Sequence, residues 1–242
     1  MRVRGGQNLY GFSVGILMLD TRFPRIPGDM GHAGTFDFPV LYHGVAGASP
    51  DRVVRQGHRD LLPGFVEGAR RLVREGVRAV TTNCGFLAQF QPELAAAVPV
   101  PVFTSSLMLV PLVARMLPPG GAVGVMTVDA ASLKPAHLAG AGIDPAAPVV
   151  IVGLETEKEF TRVLLDDLPE LDVEAARQEH LTVARRLLAE HPEVGAIVLE
   201  CTNMPPYRAD LQAATGRPVF DITALVRMVH EAVRHGLPPL PA

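Results

Sequence analysis

The chain has 242 residues, 48% of them hydrophobic, with a mean hydropathy of +0.23 and a net charge of −3 at pH 7. No apolar run approaches the ~20 residues of a spanning helix, and the run 14–19 ends at Asp20, too short for a signal-peptide core. Acidic residues offset the arginines and no basic run is interleaved with aromatics, which excludes a nucleic-acid binder and leaves a soluble, cytoplasmic protein as the expectation.

Residues 12–19 read as the first strand. The loop behind it, Asp20-Thr-Arg22-Phe-Pro-Arg25-Ile-Pro-Gly-Asp29, leaves the carboxyl end of that strand, where open α/β sheets carry ligands. Asp20 and Arg25 are candidate substrate residues there. Arg25, stiffened by flanking prolines, suits a bidentate pair with a carboxylate, a solvated surface arginine being the alternative. An amphipathic helix follows over 52–75 and stops at Gly76. Strands at 77–82 and 100–103 flank the first cysteine region, and a helix spans 105–117. Leu117-Pro-Pro-Gly-Gly121 is the best lobe boundary. Beyond it come strands at 122–127 and 149–152, a helix stop at Gly140, a helix at 173–190 and a strand at 194–199. Gly216 marks another helix stop, before a strand at 218–220 and a last helix at 222–235. His32, His43 and His58 match no helix-based zinc spacing and are expected to be structural or on the surface. Gly120-Gly121 and Gly140-Ala-Gly142 lack the full dinucleotide-binding pattern.

Alternation of strands and helices implies parallel sheets covered on both faces. The expected fold is α/β, with two pseudo-symmetric lobes, each a parallel sheet flanked by helices, and an active site in the cleft between them. The first lobe is assigned to 1–117, completed by 222–242, and the second to 118–221. An internal repeat supports this. Val77-Arg-Ala-Val-Thr-Thr-Asn-Cys84 matches Val194-Gly-Ala-Ile-Val-Leu-Glu-Cys201 at an offset of 117 residues, and Pro101-Val-Phe103 matches Pro218-Val-Phe220 at the same offset. Val14-Gly-Ile and Val123-Gly-Val open the two halves in similar style at a different offset.

Cys84 and Cys201 are the only cysteines and close equivalent strands. If the lobes face each other, the thiols meet in one cleft and bracket a substrate carbon, one removing a proton and the other delivering one. Helix-start amides behind each cysteine are expected to draw the thiols toward neutrality and to favour an anionic substrate. Glu200 admits two readings. Facing the cleft, it would raise the thiol pKa; alternation along the strand instead turns it away from Cys201, toward a helix or the lobe interface. Lys134 and Lys158 are the only lysines and neither closely follows a buried-looking strand, so pyridoxal phosphate has few places to anchor, and no cofactor or metal is expected.

Glu200-Cys-Thr-Asn-Met-Pro205 resembles the Gly-Cys-Thr-His-aromatic-Pro segment of the aspartate/glutamate racemase superfamily. Thr82-Asn-Cys-Gly-Phe86 is similar to the first cysteine segment of that group, and Val123-Gly-Val-Met-Thr127 to the strand whose terminal threonine touches substrate. The resemblance implies Cys84 and Cys201 as the acid/base pair, with Asn83, Gly85, Phe86, Thr127, Thr202 and Asn203 around the substrate, and a homodimer. Three departures stand out: Asn203 replaces a histidine, Glu200 a glycine, and Gly85 the asparagine that usually follows the first cysteine. The expected activity is racemisation or epimerisation of a small carboxylate, an amino acid or derivative. A maleate-type cis–trans isomerase and a catalytically inactive two-lobed binding protein are the alternatives.

Overall fold

The computed structural model describes residues 6, 8–57 and 59–234; His58 and position 235 of the expected last helix lie outside them. The first half contains β1 (Val14–Met18), β2 (Val40–Gly44), α1 (Leu62–Arg74), β3 (Ala79–Thr82), α2 (Gln91–Ala97), β4 (Val102–Phe103) and α3 (Val110–Ala114). The second contains β5 (Ala122–Thr127), α4 (Pro135–Gly140), β6 (Val149–Gly153), α5 (Phe160–Leu165), α6 (Val173–Glu190), β7 (Val194–Leu199), α7 (Arg208–Thr215), β8 (Val219–Phe220) and α8 (Ile222–Val233). Two parallel four-stranded sheets result, in the equivalent orders β2-β1-β3-β4 and β6-β5-β7-β8. Their central strands are nearly continuous apolar runs, as burial on both faces demands.

The repeat is structural. Val80 and Thr81 pair with Val102 and Phe103, while Ile197 and Val198 pair with Val219 and Phe220, so the register carries over at the 117-residue offset. The shared Val-Gly opening also has a packing reason. A Cβ on Gly15 would lie 2.9 Å from Leu72 Cδ1 of α1, and one on Gly124 would lie 2.8 Å from Leu187 Cδ2 of α6. Each glycine lets the leucine of a covering helix sit directly on the central strand of its sheet.

The structure corrects several local expectations. β2 was not anticipated, because Val-Leu-Tyr-His-Gly is a half-buried edge strand with no clean alternation. The helix expected over 52–75 is broken. A π-helical turn, Asp51–Arg55, precedes Gly57 at φ 61°, and a 3-10 turn, Arg59–Leu61, leads into α1. Gly57 takes a left-handed conformation that ends the first turn, and Pro63 suits the opening turn of the next helix. The helix expected over 105–117 begins as a 3-10 turn, Ser106–Leu109, capped by Ser105, whose hydroxyl accepts from the Leu107 amide. α4 does end at Gly140, as expected, but not through a left-handed glycine there. Its missing side chain admits the Ala88 carbonyl, 2.0 Å from where a Cβ would stand, and Gly142 at φ 74° makes the turn.

The halves are fastened beneath the site. Ser106 Oγ donates to the Leu199 carbonyl at 2.6 Å, and Thr202 Oγ1 donates to the Asn83 carbonyl. α4 packs on the 3-10 turn Gly85–Phe90, with Phe86 edge-on to His137 at 5.2 Å. α8 runs back onto β1 and β3, where His230 meets Ser13 and stacks on Phe38. Among the described residues no helix is long and apolar enough to cross a membrane.

Candidate active site

Cys84 leaves β3 with extended backbone and precedes the 3-10 turn Gly85–Phe90; Cys201 follows β7 by two residues. Both are buried free thiols and both line one small cavity. Asn83, Glu200, Thr202 and Asn203 supply its remaining polar wall, and Leu19, Phe23, Phe86, Val128 and Leu164 much of its apolar wall. The described lining includes no arginine, lysine or histidine.

Among the residues expected around substrate, Asn83, Gly85, Phe86, Thr202 and Asn203 line the cavity with the cysteines. Thr127 stands one layer behind, its Oγ1 donating to Glu200 Oε2 at 2.7 Å. Asp20 is exposed and accepts from the Gly47 amide at 3.4 Å, away from the cavity lining. Arg25 is committed elsewhere too: its Nη1 pairs with Asp29 Oδ1 at 2.9 Å and its Nη2 donates to Thr21 Oγ1 at 3.0 Å. The carboxylate this arginine holds belongs to the protein. His43 lies against Gly68 of α1 and His32 accepts from Gly34 in an exposed turn.

That ion pair is the root of a relay. Asp29, buried and hydrogen-bonded by the Gly31 amide at 2.7 Å, accepts from Asn203 Nδ2 through its other oxygen. Asn203 Oδ1 then accepts from the Cys201 thiol at 3.5 Å. Asp29 was missed as a site residue, although opposite charges four residues apart at 25 and 29 were in view. Asn83 is half satisfied: its Oδ1 accepts from the Leu19 amide at 2.7 Å, while its buried Nδ2 has no protein partner. An unpaired buried donor on a cavity wall is positioned to receive an anionic group.

Glu200 is fully buried and faces the cavity, which overturns the alternation reading. β7 ends at Leu199, so the rule that turns neighbours to opposite faces no longer governs Glu200 and Cys201. Glu200 Oε1 has no partner and lies where a side chain at position 85 would begin, 2.1 Å from a Cβ there. Burial pushes Glu200 up to about 7, opposed by the Thr127 hydroxyl. Burial, and then Glu200, push Cys84 up to about 12 and raise Cys201 well above the ordinary thiol value. The turn amides of Phe86, Leu87 and Asn203 do pull the thiols down, as expected, but burial and the neighbouring carboxylate outweigh them. The resting thiols are protonated.

A family profile described as Asp/Glu/Hydantoin racemase matches residues 55–229. The chain belongs to this family. This member of the Asp/Glu/Hydantoin racemase family is 33% identical over 221 residues to a dimethylsulfoniopropionate lyase of Durusdinium sp. clade D, covering 88% of the chain and 72% of that relative. It is 30% identical over 226 residues to dimethylsulfoniopropionate lyase 7 of Emiliania huxleyi (strain CCMP1516), covering 86% of the chain and 63% of that protein. In fold it resembles allantoin racemase from Klebsiella pneumoniae, with a TM-score of 0.60, 20% identity and coverage of 94% and 91%. A glycine-to-cysteine variant of arylmalonate decarboxylase gives a TM-score of 0.62 at 18% identity, covering 95% and 97%.

Proposed function

We propose that this chain is a carbon-acid lyase: a cysteine thiolate removes the proton α to the carboxylate of a small acid, and a β-sulfonium group leaves. The observation that carries the reading is the 33% identity, over 88% of the chain, to a dimethylsulfoniopropionate lyase, joined to free thiols on a single small cavity. In dimethylsulfoniopropionate, the substrate named for the relatives, the α C–H bond breaks toward sulfur of the enzyme. Its electron pair forms the carbon–carbon double bond, and the C–S bond breaks to release neutral dimethyl sulfide and acrylate. The thiol returns its proton to solvent. Asn83 Nδ2 and the amides of Phe86 and Asn203 are the groups available to hold the substrate carboxylate, the Leu87 amide being engaged by the Cys84 carbonyl. The apolar wall suits the methyl groups of the leaving sulfide.

Racemisation, the sequence-based expectation, is the second reading, favoured by the same two thiols and by the family. The two differ in what they require. Elimination needs one thiolate, and the departing sulfide needs no acid; inversion needs a base on one face and an acid on the other. The test supplies dimethylsulfoniopropionate and reads dimethyl sulfide in the headspace, for the wild type, Cys84→Ser and Cys201→Ser. Sulfide release by the wild type, falling roughly 10²–10⁴-fold in the variant that loses the base, supports elimination. No sulfide release, together with solvent deuterium entering the α-carbon of amino acids or hydantoins with inversion, moves the assignment to a racemase. Wild-type turnover in both variants refutes thiol chemistry altogether.

A further inference from the structure

We infer that Glu200 selects a substrate carrying a positive charge, holding the onium group against its unpartnered Oε1 while the carboxylate end lies toward Asn83 and the turn amides. This takes the cavity to be the substrate site, as above, but does not depend on elimination. The argument is one of charge. The ionisable groups lining the cavity are Glu200, Cys84 and Cys201, all neutral or negative. Nearby Arg25 is already paired with Asp29, which the Asn203 amide also occupies. A bound carboxylate and a working thiolate would therefore add two anions beside a buried carboxylate whose free oxygen has no donor. Like charges at such distances in a water-poor cavity disfavour one another strongly. A cationic group on the ligand offsets both: it pairs with Glu200 and removes the push that Glu200 exerts on the thiols.

Size and shape support the same placement. Glu200 projects into space vacated by Gly85, and position 85 is closed to any side chain by Glu200 Oε1 at 2.1 Å and the Glu200 carbonyl at 2.5 Å from a Cβ. The carboxylate is held by a single hydrogen bond, from Thr127 to Oε2, which leaves Oε1 free. Apolar residues lining the same cavity, Phe23, Leu164 and Leu165, suit the alkyl substituents of a quaternary or ternary onium better than a strongly hydrated ammonium.

The test uses two unreactive isosteres differing by one charge: 3-(trimethylammonio)propionate and 4,4-dimethylpentanoate, titrated calorimetrically into the wild type and Glu200→Gln at pH 8. A charge pair a few ångströms apart at an effective dielectric of ~20 corresponds to roughly 100-fold in affinity, so the wild type should prefer the cation by about that factor. Glu200→Gln should bring the ratio within about fivefold of unity, with the affinity for 4,4-dimethylpentanoate kept or raised, since the amide preserves shape and removes a like charge. Repeating the wild-type titration at pH 5.5, where Glu200 becomes protonated, should collapse the preference without any substitution; Cys84, Cys201, Arg25 and Asp29 are the other charged or titratable groups facing this region. Failure of the wild type to bind the cation, equal binding of the two acids, or a preference that survives in Glu200→Gln and at pH 5.5 overturns the inference. Cation preference without sulfide release would leave it standing and refute only the lyase assignment.

Discussion

Replacing Glu200 by Gln should stabilise the fold in a pH-dependent way. In the unfolded chain Glu200 loses its proton near its ordinary value of 4.5, whereas in the folded protein it holds that proton up to about 7. Between those values the native state binds more protons than the unfolded one, so the carboxyl contributes fully below 4.5 and its contribution is lost as pH rises to 7. A shift of this size corresponds to about 3 kcal/mol at ~1.4 kcal/mol per pH unit. The glutamine amide is uncharged throughout, and its carbonyl still accepts from Thr127. The difference in unfolding free energy between variant and wild type should therefore be flat below pH 4.5, climb in the variant's favour to pH 7, and level off about 3 kcal/mol higher. Urea denaturation at half-unit steps from pH 4 to 8.5 measures it. A difference that stays constant with pH, or falls as pH rises, would refute the claim that Glu200 is a carboxyl kept from water without a cationic partner. Thiol alkylation offers a parallel check, because removing the Glu200 charge should move the pH midpoint of both cysteines downward.

Gly85→Ala places a methyl 2.1 Å from Glu200 Oε1 and 2.5 Å from the Glu200 carbonyl, and should destabilise the fold by about 3 kcal/mol or more in urea titrations. Adding Glu200→Gly should recover only part of that loss, because the carbonyl contact remains; full recovery would contradict the geometry. His180 is fully buried, its Nδ1 on the Ala176 carbonyl at 2.7 Å and its ring stacked on Tyr207 at 4.3 Å, and burial drives it down to about 4. The unfolded chain takes up this proton near 6.5, so stability is complete above 6.5 and falls by about 3 kcal/mol as pH drops to 4. His180→Phe should flatten that part of the stability profile, and an unchanged slope between pH 6.5 and 4 would show that the histidine titrates normally in the fold.

Much of this architecture was legible in the chain because the informative segments are buried on both faces. β5, β7 and α6 run over the residues that periodicity assigned to them, since sheet centres and a long helix leave little freedom of interpretation. The 117-residue repeat placed the cysteines at equivalent strand ends, and the pairing of β3 with β4 and of β7 with β8 follows the same offset. Edge elements were harder. β2 is a half-buried strand whose identity comes from pairing with β1, a long-range contact with no local sequence signal. Arg25 was expected to pair with a substrate carboxylate or to lie solvated, whereas its partner is Asp29, four residues on, a choice set by the fold of the loop. The orientation of Glu200 was out of reach for a different reason: one residue separates strand geometry, where alternation applies, from the turn, where it does not.

The departures at positions 85 and 200 are one change seen twice. Segments that resemble this family carry a side chain after the first cysteine and none before the second; here the volume sits on Glu200 and the vacancy at Gly85. The two residues belong to opposite sheets, yet the Glu200 carboxyl fills the space that a side chain at 85 would need, so Glu200 in this position requires glycine at 85. Glu200 puts a carboxylate on the cavity wall beside both thiols. Such a group works against ionisation of Cys84 and Cys201 for as long as the cavity is empty of cations, and ceases to do so when one enters. The thiols are then most basic in the resting protein and most readily ionised in the complex, which ties formation of the reactive thiolate to occupancy of the site. Alkylation of Cys84 and Cys201 before and after adding 3-(trimethylammonio)propionate reads this coupling through the pH midpoint of the reaction, a quantity that steric shielding by the ligand does not move.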